Sequence, residues 1–305
     1  MTLDLHTHGL MGRDSRSTDP DEYLVLAASY KSACTDAFLP TLFPAPIDAM
    51  RAQMKAIKSA MEEQNINPPN PPLPKGGKGG FASILGVHLE GPFVNPAKCG
   101  ALGRDNFLAP DIDSFMRLIE GFEDFIKIMT IAPELPGALA LIEKAASLGI
   151  RVNMGHSAAT FEEAKAGRAA GATGVTHLFN AMSGMHHREP GLAGYALSDD
   201  GMYVEIIADF AHVHPEMVRL VLKNKPPLRI ILVSDSLAAA KTPGVPEKGP
   251  LYMEDGTTLA GSGITLADAV NNIVSLGVPM ETAASFVGTN PRRFLGIIPD
   301  QIDSV

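Results

Sequence analysis

The chain has 305 residues, 45% of them apolar and 19% charged, which is enough apolar surface for one large core and too little charge for a disordered polymer. A formal charge of −9 excludes the basic face that phosphate backbones and anionic membrane surfaces require, so a small molecule is the expected partner, with no nucleic acid and no membrane. Two cysteines, Cys34 and Cys99, provide no disulfide framework, and no long apolar segment or charged leader precedes the first strand; a cytoplasmic protein is expected, with both thiols acting as small buried hydrophobes.

The chain opens on an apolar run, 3–9, that reads as a strand and carries His6 and His8 near its end. Side chains alternate along a strand, so these two imidazoles share a face with Asp4, and such a pair can grip one divalent ion. Asp19-Pro20 opens a helix running through Tyr30, and 36–42 reads as a second strand. A helix follows over 47–64, with Met50, Met54, Ile57 and Met61 on one stripe. The stretch 65–80 (NINPPNPPLPKGGKGG) is too rich in proline and glycine for helix or interior strand, so a flexible surface insert is expected there.

Six more strand signals follow at 83–89, 125–132, 151–154, 174–176, 203–208 and 229–233, with helices between them near 111–121, 137–148, 161–170 and 215–224. Eight strands, each followed by a helix or long loop, are the alternation of a single α/β domain over 1–305, a closed parallel (β/α)8 TIM-type barrel; an open doubly wound sheet is the competing topology. His6, His8, Glu90, His156, His177 and Asp235 all fall at the carboxyl ends of these strands, which in a barrel meet at one mouth. Four imidazoles and two carboxylates suit one or two divalent ions, zinc or iron by their donor chemistry.

The segments DLHTHG at 4–9, HLEGPF at 88–93, GHSAAT at 155–160, THLFNAM at 176–182, REPGLAG at 188–194, ADFAHVHP at 208–215, VSDS at 233–236 and LAGSGITL at 259–266 occur in that order along nearly the whole chain. Together they resemble the amidohydrolase superfamily and, within it, the N-acetylglucosamine-6-phosphate deacetylase family. The resemblance implies a homodimeric, metal-dependent hydrolase that removes the acetyl group from N-acetylglucosamine 6-phosphate. It implies Glu90, His156 and His177 as ligands of one ion, and His6, His8 and Asp235 as a second site with Glu90 able to bridge. Asp235 is then the catalytic proton carrier, taking a proton from water and handing it to the departing amine. Gly91, Asn180, Ala181 and His212 are implied as substrate contacts, and Arg188 as an arginine that reaches the phosphate of the neighbouring subunit. His88, His186, His187 and His214 are left to hydrogen-bonding or surface roles.

Three departures from the family pattern accompany the likeness. The sequence starts at the first strand and ends at Val305, so a barrel lacking the usual flanking small β-sandwich is expected. A Lys-Cys-Gly-Ala-Leu run at 98–102 puts Leu102 where the family places a histidine, and Phe210 follows Asp209 where glycine is usual, with a narrowed pocket expected. The alternatives are a related amidohydrolase with a different N-acyl substrate, and a weakly active or non-catalytic sugar-phosphate-binding barrel. A carbamylated lysine at the fourth strand is disfavoured because Lys127 lies too early in it.

Overall fold

In a computed structural model that describes residues 1–66, 80–245 and 249–298, eight parallel strands follow one another in chain order around one axis. They are β1 (Leu3–Thr7), β2 (Ala37–Leu42), β3 (Val87–Leu89), β4 (Ile126–Ile131), β5 (Arg151–Met154), β6 (Gly174–Val175), β7 (Tyr203–Ile207) and β8 (Ile230–Val233). The ring closes where the Asp235 N–H donates to the His6 carbonyl at 2.9 Å and the His8 N–H donates to the Ser236 carbonyl at 2.8 Å. The closed barrel, not the open sheet, is therefore the topology. The proline- and glycine-rich insert expected at 65–80 lies, from 67 to 79, outside the described residues.

Successive strand residues divide between two cores, as the pleat requires. Phe38, Val204, Ile206, Ile230 and Leu232 face outward into a large cluster shared with the helices. Leu39, Ile207, Ile231 and Val233 turn the other way and fill the barrel with Leu3, Leu5 and Phe294. Each such fully buried side chain contributes roughly 1.5–3 kcal/mol of transfer free energy, so the barrel rim is held by a rigid floor.

The helices are α1 (Pro20–Ser32), α2 (Ile47–Ile66), α3 (Ile112–Ile119), α4 (Ala138–Ser147), α5 (Phe161–Ala169), α6 (Gly191–Ser198), α7 (Pro215–Asn224), α8 (Leu266–Ser275), α9 (Met280–Val287) and α10 (Thr289–Phe294). Their starts follow local chemistry: Asp19 caps α1 ahead of Pro20, and Thr160 with Glu163 and Thr265 with Asp268 form capping boxes on α5 and α8. None of the described helices is long and apolar enough to cross a membrane.

Several sequence expectations change. The run 83–89 is broken at Gly86, whose φ of 137° only glycine adopts easily and whose absent Cβ leaves room for the Phe125 carbonyl. The alternation expected along 3–9 is interrupted, because the β1–β2 register shifts between Asp4 and Thr7. Asp4 consequently stays out of the ligand cluster, and its Oδ1 accepts the His6 and Ser234 N–H groups at 3.3 Å, seaming β1 to β8. Neither cysteine is buried: Cys34 is exposed at a left-handed turn after α1, and Cys99 is half-buried with Arg104 Nε donating to its Sγ.

Candidate metal centre and substrate cavity

The strand ends place their polar side chains in two adjoining buried groups, His6 with His8 and Asp235, and Glu90 with His156 and His177. Glu90, just past β3, lies between them. Its Oε1 is 2.9 Å from His156 Nε2 and 3.0 Å from His177 Nε2, while Oε2 is 3.1 Å from His8 Nε2. Asp235 Oδ1 lies 3.4 Å from His8 Nε2 and 3.6 Å from His6 Nε2. His156, His177 and Asp235 hold left-handed backbone angles, φ of 45°, 30° and 48°, which costs each on the order of 1–3 kcal/mol and turns the side chains sharply inward.

Tautomers can be read from the partners of the other ring nitrogens. A carbonyl oxygen only accepts, so His8 Nδ1, 3.0 Å from the Thr41 carbonyl, and His156 Nδ1, 2.9 Å from the Lys98 carbonyl, each carry a proton. Their Nε2 atoms then present lone pairs to carboxylate oxygens and to the Nε2 atoms of His6 and His177, at 3.2 and 3.1 Å. Acceptors so close together repel unless a cation or added protons lie among them, so the donor set fits one or two divalent ions. Electrostatics point the same way. Burial pulls the His6 imidazolium down, but the charges of Glu90 and Asp235 prevail and raise its pKa well above the usual value. Burial pushes Glu90 up, yet the His6 charge and the close approach of His156 and His177 hold it well below the carboxylate range.

His88 is excluded from this group. Its Nδ1–H donates to the Leu5 carbonyl at 3.0 Å and its Nε2 accepts from Thr130 at 2.9 Å, while burial and the His6 charge hold it well below the usual imidazole range. It is a neutral pin under the site, in line with the hydrogen-bonding role expected of it.

Above the two groups opens a cavity of about 350 Å³, walled by Phe43, Leu102, Asn180, Ala181, His212 and the stretch 257–261. His212 donates Nδ1–H to Asp209 at 2.7 Å, which leaves Nε2 for the cavity. Leu102 is almost wholly buried and lines the wall, so no imidazole stands there.

No family model matches the sequence. A curated N-acetylgalactosamine-6-phosphate deacetylase of Escherichia coli O157:H7 is 33% identical, over 97% of this chain and 77% of that protein. An N-acetylglucosamine-6-phosphate deacetylase of Vibrio furnissii is 32% identical over 97% of this chain and 73% of its own length. The chain belongs to the N-acetylglucosamine-6-phosphate deacetylase family. The family's enzyme from Mycobacterium smegmatis, solved as a mutant in complex with N-acetyl-D-glucosamine-6-phosphate, superposes with a TM-score of 0.84 at 29% identity, covering 97% of this chain and 77% of that one.

Of the residues the sequence singled out, the six expected ligands converge, and Asn180, Ala181 and His212 line the cavity. Gly91 lies behind Glu90 against Pro44 and Val94 and is not among the cavity walls. Arg188 is exposed outside the cavity, its guanidinium 2.7 Å from His187 Nε2. Phe210 packs against the core instead of walling the cavity, so the expected narrowing is not seen. Sequence reasoning missed Asp209, the brace of His212, although an acid three residues before a histidine after a strand was a signal within reach. It also gave no role to the 257–261 wall, although the segment 259–266 was among those quoted; residues 259–261 lie in a hairpin of Pro250–Tyr252 with Leu259–Ser262.

Proposed function

We propose that this chain hydrolyses the acetamide of N-acetylglucosamine 6-phosphate, or of its galacto epimer, to the free amino-sugar phosphate and acetate. The observation that carries the reading is the pairing of two buried donor groups through Glu90 beneath a cavity of sugar size, in a member of this family. Glu90, His156 and His177 would hold one divalent ion, zinc or iron by donor chemistry, and His6, His8 and Asp235 a second. Such an ion supplies Lewis acidity, lowering the pKa of water and polarising the acetamide carbonyl.

The chain's own residues do the rest. Asp235 removes a proton from the attacking water and delivers it to the nitrogen as the C–N bond breaks, because an alkylamide anion is a very poor leaving group. His212, its pKa pulled down by burial but raised overall by Asp209, faces the sugar with Nε2. Asn180 and the backbone of Ala181 hold the phosphate from one side. Arg188, exposed in the single chain, reaches it from the second subunit of a homodimer with a charge-assisted pair.

The test is release of free amine from the two N-acetylhexosamine 6-phosphates and their unphosphorylated analogues. Turnover confined to the phosphorylated sugars supports the reading, and equal turnover of all four removes the phosphate roles. Arg188→Ala should raise KM for the phosphorylated substrate by about tenfold or more while leaving metal content unchanged. A second reading, a longer N-acyl group, is favoured by one feature: Leu102, Phe43, Ala101 and Ala260 wall both the site and an adjoining cavity of about 570 Å³. Faster turnover of N-butyryl than N-acetyl substrate would establish it.

A further inference from the structure

Two imidazoles of the site lack a partner at the second ring nitrogen. His8 and His156 each donate that N–H to a carbonyl, but His177 Nδ1 and His6 Nδ1 are buried without a hydrogen-bond partner, and a buried carboxylate faces His6 Nδ1. The group facing it is Glu205 of β7, whose Oε2 is also buried and unpartnered and lies 3.5 Å away. Glu205 is 1% exposed, and its other oxygen accepts from Asn153 Nδ2 at 2.8 Å. A carboxylate inside a barrel with one neutral amide partner is expensive to bury, so a proton donor on its free oxygen is needed to account for it. The neighbouring strand makes room for this contact. Gly174 of β6 stands between β5 and β7, paired to both Asn153 and Tyr203, and a Cβ there would lie 2.3 Å from Asn153 Oδ1.

We infer that Glu205, oriented by Asn153 across Gly174, is a positioning residue that holds the His6 proton on Nδ1 and so makes the His6, His8 and Asp235 group competent to bind a second ion. The inference rests on the two-ion reading above. With the proton fixed on Nδ1, the Nε2 lone pair faces Glu90 and Asp235; with the other tautomer, an N–H blocks the site. The side-chain order Asn153, Glu205, His6 is thus a directional relay of donor to acceptor to donor.

That direction supplies the test. In Glu205→Gln the amide oxygen keeps the Asn153 bond, its NH2 group faces His6 Nδ1, and the His6 proton moves to Nε2. Metal analysis after dialysis and a cobalt(II) titration followed by absorption should find two ions in the unaltered protein. In E205Q one ion should be retained and the other weakened by about 10–100-fold, with kcat falling in parallel. Adding Asn153→Asp reverses the relay, since the carboxylate it introduces accepts from the amide NH2 and returns the amide oxygen to His6, so most of the second ion's affinity should come back. Two ions bound by E205Q with unaltered affinity would overturn the inference, as would a double variant that recovers nothing. One ion in the unaltered protein would overturn both this inference and the two-ion reading. Should E205Q alone not yield folded protein, the double variant decides: a second ion at unaltered affinity supports the relay, and its loss overturns it.

Discussion

The proposed reaction gives Asp235 two burdens, proton transfer and a place among the ligands, and its left-handed backbone and hydrogen bond to the His6 carbonyl fix its position. Asp235→Asn should lower kcat by roughly 10²–10⁴-fold, the usual worth of a positioned acid-base group. Metal analysis should still find the ion at Glu90, His156 and His177, because those donors do not depend on Asp235. His212 makes a prediction of a different kind. Burial alone would pull its imidazolium down, but the bond to Asp209 and the charges of Asp209 and Asp235 raise its pKa above 6.5. A raised value means the protonated form is complete below the ordinary pKa and is lost as pH rises through the shifted one. For a phosphorylated substrate kcat/KM should therefore fall on that alkaline limb. Asp209→Asn should move the limb to lower pH; a pH–rate profile whose limb stays in place would remove His212 from substrate binding.

The strand Leu259–Ser262 shows how a secondary element can back Asp235, the proposed proton carrier. Its Ser262 N–H donates to the Asp235 carbonyl at 2.8 Å, and Gly261, at φ 156°, passes so close that a Cβ would lie 2.9 Å from that same oxygen. Gly261→Ala should thus displace Asp235 and cut kcat by about tenfold or more, with little change in melting temperature because the barrel core is untouched. Equal activity of the variant would show that the strand does not set Asp235. This element also marks where sequence reading stops. The eight barrel strands were legible because each is a short, largely apolar run, and where a polar residue closes the run, as at His8, Glu90, His156, His177 and Asp235, that punctuation also revealed the candidate ligands. The hairpin carrying Gly261 has no such pattern, and α6 is buried along 191–197, so neither presents the one-sided stripe that betrays a helix or strand. Glu205 was illegible for another reason. In YVEII it reads as one charge in a strand, and only the closed barrel brings it to His6.

At the scale of the whole molecule, the barrel mouth concentrates like-signed groups where water is scarce, and this couples ion binding to stability. Glu90, Asp235 and Glu205 are all buried within reach of His6 or His8, an arrangement that favours the folded chain only while cationic charge stays among them. In chelator-treated protein that charge is the His6 imidazolium. Its raised pKa contributes stability in full below about 6.5 and loses it as pH rises through the shifted value. Glu90, held low, acts oppositely: its contribution is present above 4.5 and disappears as pH falls through its depressed value. Stripped protein should therefore melt highest at mildly acidic to neutral pH and fall off on the alkaline side. Protein with ion present at a hundred times its Kd gains about 2.7 kcal/mol and needs no imidazolium, so its alkaline decline should be shallower. Melting curves with and without chelator across that range would check this, since the gap between them must widen with pH. A constant gap would mean that the six side chains at the mouth do not share one cationic charge.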